Sequence, residues 1–409
     1  MGYSRDFIKG IGWIGGVRFL SKAILFAKVF ISYRYLSPRE VGLFGLAVLA
    51  LGLLEMLTET GINIIIVRDS RPLSYYINTA YLVAVIRGVL ISGVILLLSF
   101  ILPAFFRDQG LFGLLLLVSV IPVIRGFINP SIIRFQKDLQ YHKEALLRLS
   151  LLLIDSVAAI VLVSRFHTAQ SLIWGMILAA LCEVLFSFVF IRPWPKFEFN
   201  KKVFHEIVNP GKWMNFAGIL AYAEQNFDNV IVGRVLGPTS LGYYQTAFNL
   251  TRATVAEIGT AFAQVLLPIY SRISGDSKRL QKAVLSTIIP AALLMLIPVI
   301  VLNIPQFQDF IIFYLKEKWR PMLPLVFYLS ISAWFTGMNG LINPLFLVRN
   351  QLKSLVSMYA IGLVLMLVSV WALSHRLGLL GAAQGVLLAK ILLQPVVLYL
   401  AVTRNAKKS

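Results

Sequence analysis

The sequence predicts an all-α integral membrane protein with twelve transmembrane helices. Three observations carry that expectation. Of 409 residues, 58% are hydrophobic and only 14% charged, with mean hydropathy +0.80, against roughly 25% charged in an average globular chain. The apolar residues fall into about a dozen runs of roughly 20, the length that crosses a bilayer as a helix. The net charge of +20 is not gathered on one face but divided among the short connections between those runs.

The runs, in order, are 11–33, 41–64, 79–102, 111–133, 146–164 and 171–191, then 213–235, 241–268, 285–302, 322–347, 354–373 and 379–401. Each is read as a helix from its apolar length and the turn residues that bound it. The first carries Arg18, Lys22 and Lys28 and runs on without a small-residue cleavage site, so it reads as a retained span and not a signal peptide. The connections are short and leave no room for a soluble domain.

Cation placement orients the chain. With the N-terminus inside, 22 Lys and Arg lie on the cytoplasmic side, 9 on the outer side and 7 within spans. A bias of that size over short loops places both termini in the cytoplasm of a multi-pass protein of the cytoplasmic (inner) membrane. It also removes nucleic acid as a partner, since a nucleic-acid footprint needs one basic face. In the 192–212 connection, Asn200 is expected to cap a short helix over 201–208, with Phe204 and Ile207 on one side against the inner leaflet. Phe310, Phe313, Tyr314 and Trp319 are expected to form an aromatic group at headgroup depth on the outer side.

The halves repeat. At an offset of 200, Arg34-Tyr35-Leu36-Ser37-Pro38-Arg39-Glu40-Val41-Gly42-Leu43-Phe44-Gly45-Leu46-Ala47 lies over Arg234-Val235-Leu236-Gly237-Pro238-Thr239-Ser240-Leu241-Gly242-Tyr243-Tyr244-Gln245-Thr246-Ala247, with five identities. A second match sets Gly126-Phe127-Ile128-Asn129-Pro130 over Gly340-Leu341-Ile342-Asn343-Pro344. Ser37 fits an N-cap, Pro38 the first helical position and Glu40 the capping-box partner, so the first motif reads as a tight stop and restart between spans. The repeat divides the chain into an N-lobe, 1–200 with spans 1–6, and a C-lobe, 201–409 with spans 7–12. Six spans are an even number, so the lobes run parallel. Parallel repeats are a transporter architecture, with the substrate path in a central cavity near the midplane.

Fourteen ionisable residues fall inside spans: Arg18, Lys22, Lys28, Arg87, Arg125, Arg252 and Lys390 with Glu55, Glu59, Asp155, Glu183, Glu224, Asp228 and Glu257. Each costs at least about 2.5–3.5 kcal/mol at the bilayer centre, so many are expected to pair or to face water. Arg18 and Lys22, Glu55 and Glu59, and Glu224 and Asp228 are four apart and share helix faces. Two readings stand side by side. Span one pairs with span two; or Arg18, Lys22, Arg87 and Arg125 line the cavity and hold a phosphate-bearing substrate, which guanidinium forks suit. Lys28 and Arg87, nearer span ends, are also placed to snorkel. Glu224 and Asp228 are the candidates for coupling to an ion, a proton or sodium. No catalytic constellation, phosphate-cradling Gly loop or metal-ligand spacing is present: the lone Cys182 and the scattered His142, His167, His205 and His375 offer none. Neither cofactor nor enzymatic activity is expected.

The basic first span ending YRYLSPREVGLFGLA, its echo DNVIVGRVLGPTSLGYYQTAFNL, the segment PIYSRISGD, LKEKWRPMLPL and GLLGAAQGVLLAK together resemble the polysaccharide flippases of the multidrug/oligosaccharidyl-lipid/polysaccharide exporter superfamily, in the style of bacterial O-antigen and repeat-unit flippases. The resemblance covers nearly the whole chain. It implies movement of undecaprenyl-diphosphate-linked oligosaccharide from the inner to the outer leaflet by alternating access, a cationic central cavity that Arg18, Lys22, Arg87 and Arg125 match, membrane lipids as surroundings, and contact with the glycan polymerase machinery. The twelve-span length argues against the lipid II branch. Two other functions are distinguished by their needs. A multidrug or organic-cation antiporter of the same superfamily needs an acidic, aromatic cavity. A membrane glycan polymerase or ligase needs a large outer loop, and the outer connections here are short.

Overall fold

The computed structural model describes the backbone of residues 2–58, 65–67, 69–208, 212–273, 276–349 and 351–403; side chains are described for these except 2–15, 18–19, 208, 212–215, 277–278, 281–282, 285 and 401–403. Every regular element among the described residues is helical: α1 (Gly2–Tyr35), α2 (Pro38–Leu57), α3 (Ser74–Phe106), α4 (Gly110–Gly126), α5 (Tyr141–Phe166), α6 (Gln170–Val189), α7 (Lys201–Val208), α8 (Lys212–Thr251), α9 (Glu257–Arg272), α10 (Ser277–Leu302), α11 (Pro305–Leu315), α12 (Leu323–Val348) and α13 (Leu352–Thr403). The chain forms two compact units, Met1–Asn215 and Phe216–Ser409. Among the described residues seven helical stretches are long and apolar enough to cross a membrane, or nine if two bent pairs each count as one span. Large apolar side chains point outward along them, Phe100 and Phe190 at 71% exposure and Val368 at 62%, the reverse of a soluble surface.

The repeated motif breaks the chain at the same place in each half by different chemistry. In the first unit Ser37 is extended (φ −76°, ψ 157°) and its Oγ accepts from Glu40 N at 3.3 Å, with Pro38 opening α2. The expected capping box does not close on itself. The Glu40 carboxylate instead accepts from Ala169 N at 2.6 Å, stabilising the N-terminus of α6. In the second unit Gly237, at φ 82° and ψ 169°, splits α8 before Pro238, a conformation that favours glycine. Gly378 (φ 61°) divides α13 in the same way.

The second motif is used differently in its two copies. The run 111–133 was expected as one helix, but α4 ends at Gly126 and bends by 68° into the turn Pro130–Ile133 and Arg134–Lys137. The cause is Asn129. Lying before a proline, it is pushed out of the helical region (φ −64°, ψ 115°), and its Oδ1 caps Ser131 N at 2.9 Å. In the second copy Asn343 and Pro344 stay inside α12.

Glycines set the closest helix approaches in each unit. A Cβ on Gly88 of α3 would lie 2.3 Å from the Pro122 carbonyl of α4, and one on Gly259 of α9 equally close to the Gly337 carbonyl of α12. Small residues at such crossings let helices pack without a hydrophobic driving force.

The connection after α6 is fixed to the first unit. Asn200 caps α7 as expected, accepting from Lys202 N at 3.0 Å and Val203 N at 3.3 Å. The buried pair on α7 is Val203 and Ile207, packed against Ile66, Tyr76, Ala80 and Ile133, while the Phe204 ring lies tilted against Phe199. Helix α7 is therefore docked on protein instead of presenting Phe204 and Ile207 together to lipid. Trp319 also departs from expectation. It is fully buried in the second unit with its ring edge-on to Tyr243 at 6.0 Å, whereas Phe310 and Phe313 of α11 are exposed. The loop expected over 303–321 holds α11, started by Pro305 in its first turn.

Candidate functional site

The charges within the spans fall into three groups. In the first unit Lys28 of α1 donates to Asp155 of α5 at 2.7 Å, their side chains 8% and 16% exposed. Removing one partner of such a buried pair costs roughly 3–5 kcal/mol, because the other charge stays unpaired in low dielectric. This pair is structural cement between α1 and α5, and Lys28 does not snorkel.

The second group gathers at the C-terminal end of α2. Arg125 of α4 bonds the Glu55 carboxylate at 2.9 Å, with side chains 41% and 33% exposed. Arg87 of α3 donates to Thr58 Oγ1 at 2.9 Å and to the Glu55 carbonyl at 2.7 Å, so it meets the negative end of the α2 dipole instead of snorkelling. Magnitudes separate this group from the first. A part-exposed pair is worth about 0–1 kcal/mol, whereas a hydrogen bond to a charged group is worth about 1.5–3 kcal/mol. An incoming phosphate can displace Glu55 from Arg125 at little cost.

The third group lies in the second unit around a cavity lined by Glu224, Gln225, Asp228, Arg252, Thr336 and Lys390. Glu224 of α8 accepts from Lys390 of α13, both nearly buried. Asp228, one turn on and 2% exposed, accepts from Tyr244 Oη at 2.5 Å and from Asn229 N at 2.9 Å. Sixteen residues of straight helix would separate Asp228 and Tyr244 by about 24 Å. The break at Gly237 folds the second half of α8 back and brings them into contact. Arg252 donates to Gln225 at 2.5 Å across the same fold.

Arg87 and Arg125 are thus brought together at α2, and Glu224 and Asp228 in the second unit. Lys22 lies exposed on α1. The side chain of Arg18, and Glu59 altogether, lie outside the described residues. Among the described residues Glu55 bonds span four and Lys28 bonds span five; the reading that sets Arg18 and Lys22 against Glu55 and Glu59 rests partly on residues outside the described ones. Sequence reasoning missed the roles of Asp155, Tyr244 and Lys390. One signal was available. At the repeat offset Lys28 falls over Asp228, so equivalent positions carry opposite charge and require different partners.

Comparison with known proteins follows the same lines. The family described as "Polysaccharide biosynthesis protein" matches residues 32–324. The lipopolysaccharide biosynthesis protein WzxC of Escherichia coli K12 is 19% identical over 361 residues, 88% of this chain and 73% of that protein. Among solved structures, the inward-facing form of a multidrug resistance MATE transporter of the MOP superfamily superposes with TM-score 0.71 at 15% identity, covering 94% of this chain and 96% of that one. The lipid II flippase MurJ in an inward closed conformation gives 0.65 at 16%, covering 94% and 86%. These likenesses give the fold.

Proposed function

Since the chain belongs to the polysaccharide biosynthesis protein family, we propose that it is a flippase that moves undecaprenyl-diphosphate-linked oligosaccharide repeat units from the inner to the outer leaflet of the cytoplasmic membrane by alternating access. The carrying observation is the contrast between the two charge groups. The Arg125 guanidinium is held by a weak, part-exposed pair that a diphosphate can replace, and Arg87 lies beside it on neutral oxygens of α2 and Thr58. In the second unit's cavity the Glu224 carboxylate, which an organic cation would need, is already paired with Lys390. An anionic cargo fits that arrangement and a cationic drug does not.

In this reading the chain crosses the membrane twelve times as two six-helix lobes with both termini cytoplasmic. Arg18 and Lys22 join Arg87 and Arg125 in holding the diphosphate, and the protein works as a transporter without chemistry of its own. Glu224 and Asp228 couple movement to a proton or sodium gradient, and one charge crossing 100 mV supplies about 2.3 kcal/mol. The glycan polymerase machinery receives the product. Proteoliposomes offered a lipid-diphosphate oligosaccharide and an organic cation test the assignment. Exchange of the first alone supports it; flux of the cation alone assigns the chain to drug export instead.

A further inference from the structure

The segment that follows α6 carries a feature the transport reading does not use. Past Val189 the chain exposes Phe190, Trp194, Phe197 and Phe199, at 71%, 52%, 66% and 57%. A run of exposed aromatics just beyond an apolar helix is the composition of a membrane interface, where amphipathic rings sit among headgroups. Beside them Arg134, Arg192, Pro193 and Trp194 line a surface pocket.

The floor of this pocket is built and not a loose loop. Asn129, fully buried, donates from Nδ2 to the carbonyls of Ser187, Ile191 and Pro193, each at 3.2 Å. Ser131 Oγ donates to Pro193 O at 2.7 Å, and Trp194 Nε1 donates to Phe188 O at 2.8 Å. The Arg192 guanidinium lies over the Trp194 ring, 3.9 Å from its centroid, which orients the fork while keeping its charge. Arg192 pairs with no carboxylate among the described residues, and Arg134 commits Nε to Asp138 at 3.0 Å. Other acids at this end are engaged elsewhere, Glu198 by Asn78 and Glu206 by Arg71.

We propose that this pocket binds the phosphodiester headgroup of an anionic membrane phospholipid, with Arg134 and Arg192 on the phosphate and Trp194 and Phe197 among the acyl–headgroup boundary. The headgroup supplies the negative charge that the pocket lacks, and the aromatics fix the depth at which it is met. The site anchors the connection between the two units to the lipid surface. It is separate from Arg87, Arg125 and the transport reading.

The test uses the full chain in neutral detergent, with phosphatidylglycerol as the probe and native mass spectrometry to count retained lipid. Wild-type protein is expected to retain phosphatidylglycerol over phosphatidylcholine, and Arg134→Gln/Arg192→Gln to lose at least about tenfold in retention, the loss expected from even one of its two charged contacts. Arg192→Gln alone, at an exposed residue with no carboxylate partner, separates loss of the site from misfolding and is expected to weaken retention in the same direction. Equal retention by wild type and both variants, or equal binding of phosphatidylcholine, overturns the proposal. Displacement by millimolar inorganic phosphate assigns the pocket to a free ion, and selective displacement by undecaprenyl diphosphate assigns it to the cargo. Either result also overturns it.

Discussion

Lys390 and Glu224, 166 residues apart in sequence, form an ion pair within the second unit with side chains only 11% and 7% exposed. The pair joins the first half of α8 to the second half of α13. Its energetics are asymmetric: the intact pair contributes little net stability, but a lone survivor is expensive. Lys390→Met is therefore expected to destabilise the protein by roughly 3–5 kcal/mol, and Glu224→Gln/Lys390→Met to recover most of that loss. Thermal unfolding in detergent checks both; a neutral single variant would show that the pair is not buried as described.

Asp228 accepts from Tyr244 and Asn229, and no cation lies within ion-pair distance of it among the described residues. If it couples movement to an ion, Asp228→Asn removes the gradient dependence of leaflet exchange while ungraded exchange persists. Exchange rates with and without an imposed gradient decide this. An unchanged ratio in the variant rules out the coupling role.

The Arg125–Glu55 contact is half open to solvent, so its loss is tolerable to the fold. Arg125→Gln is expected to leave protein levels normal and to lower exchange of a lipid-diphosphate cargo at least about tenfold, the effect of one charged hydrogen bond. Arg18→Gln/Lys22→Gln is expected to abolish exchange at normal protein levels. Full activity in that double variant removes both residues from the cargo site.

At the base of the first unit Asp69 accepts from Arg71 (2.7 Å to Nη2) and from Tyr76 Oη (2.6 Å), and Arg71 also bonds Glu206 of α7 at 2.9 Å. The Arg71 guanidinium, then the Tyr76 hydroxyl, hold the Asp69 carboxyl well below the usual carboxylate range. Because the folded value is depressed, this stabilisation is complete above the ordinary carboxylate pKa of about 4 and is lost as pH falls further. The docking of α7 is thus expected to be flat from neutral pH to about 5 and to loosen only in strong acid. Limited proteolysis of the 192–208 segment against pH measures it; Asp69→Asn is expected to give the loosened pattern already at pH 7.

What was legible in the sequence follows from what bilayers demand locally. Helix length depends on composition alone, and each of the twelve apolar runs contains a helix among the described residues, the run 111–133 breaking after Gly126. The break at Ser37–Pro38 and its echo at Gly237–Pro238 were readable because proline and glycine act on their own backbone. The partner of each charge was not readable. Glu40 fits a capping box by spacing, yet reaches Ala169, a contact only tertiary packing creates. Asp228 meets Tyr244 only because α8 folds back, and Lys28 finds Asp155 four spans along. Asn129 and Asn343 share a motif but differ in role, one ending a helix and the other lying inside one.

The most direct test of the central claim is leaflet exchange of a fluorescent undecaprenyl-diphosphate oligosaccharide in proteoliposomes under an imposed ion gradient. The account predicts exchange well above empty liposomes, lost in Arg18→Gln/Lys22→Gln. Exchange no faster than in empty liposomes, with the protein folded and inserted, would contradict it.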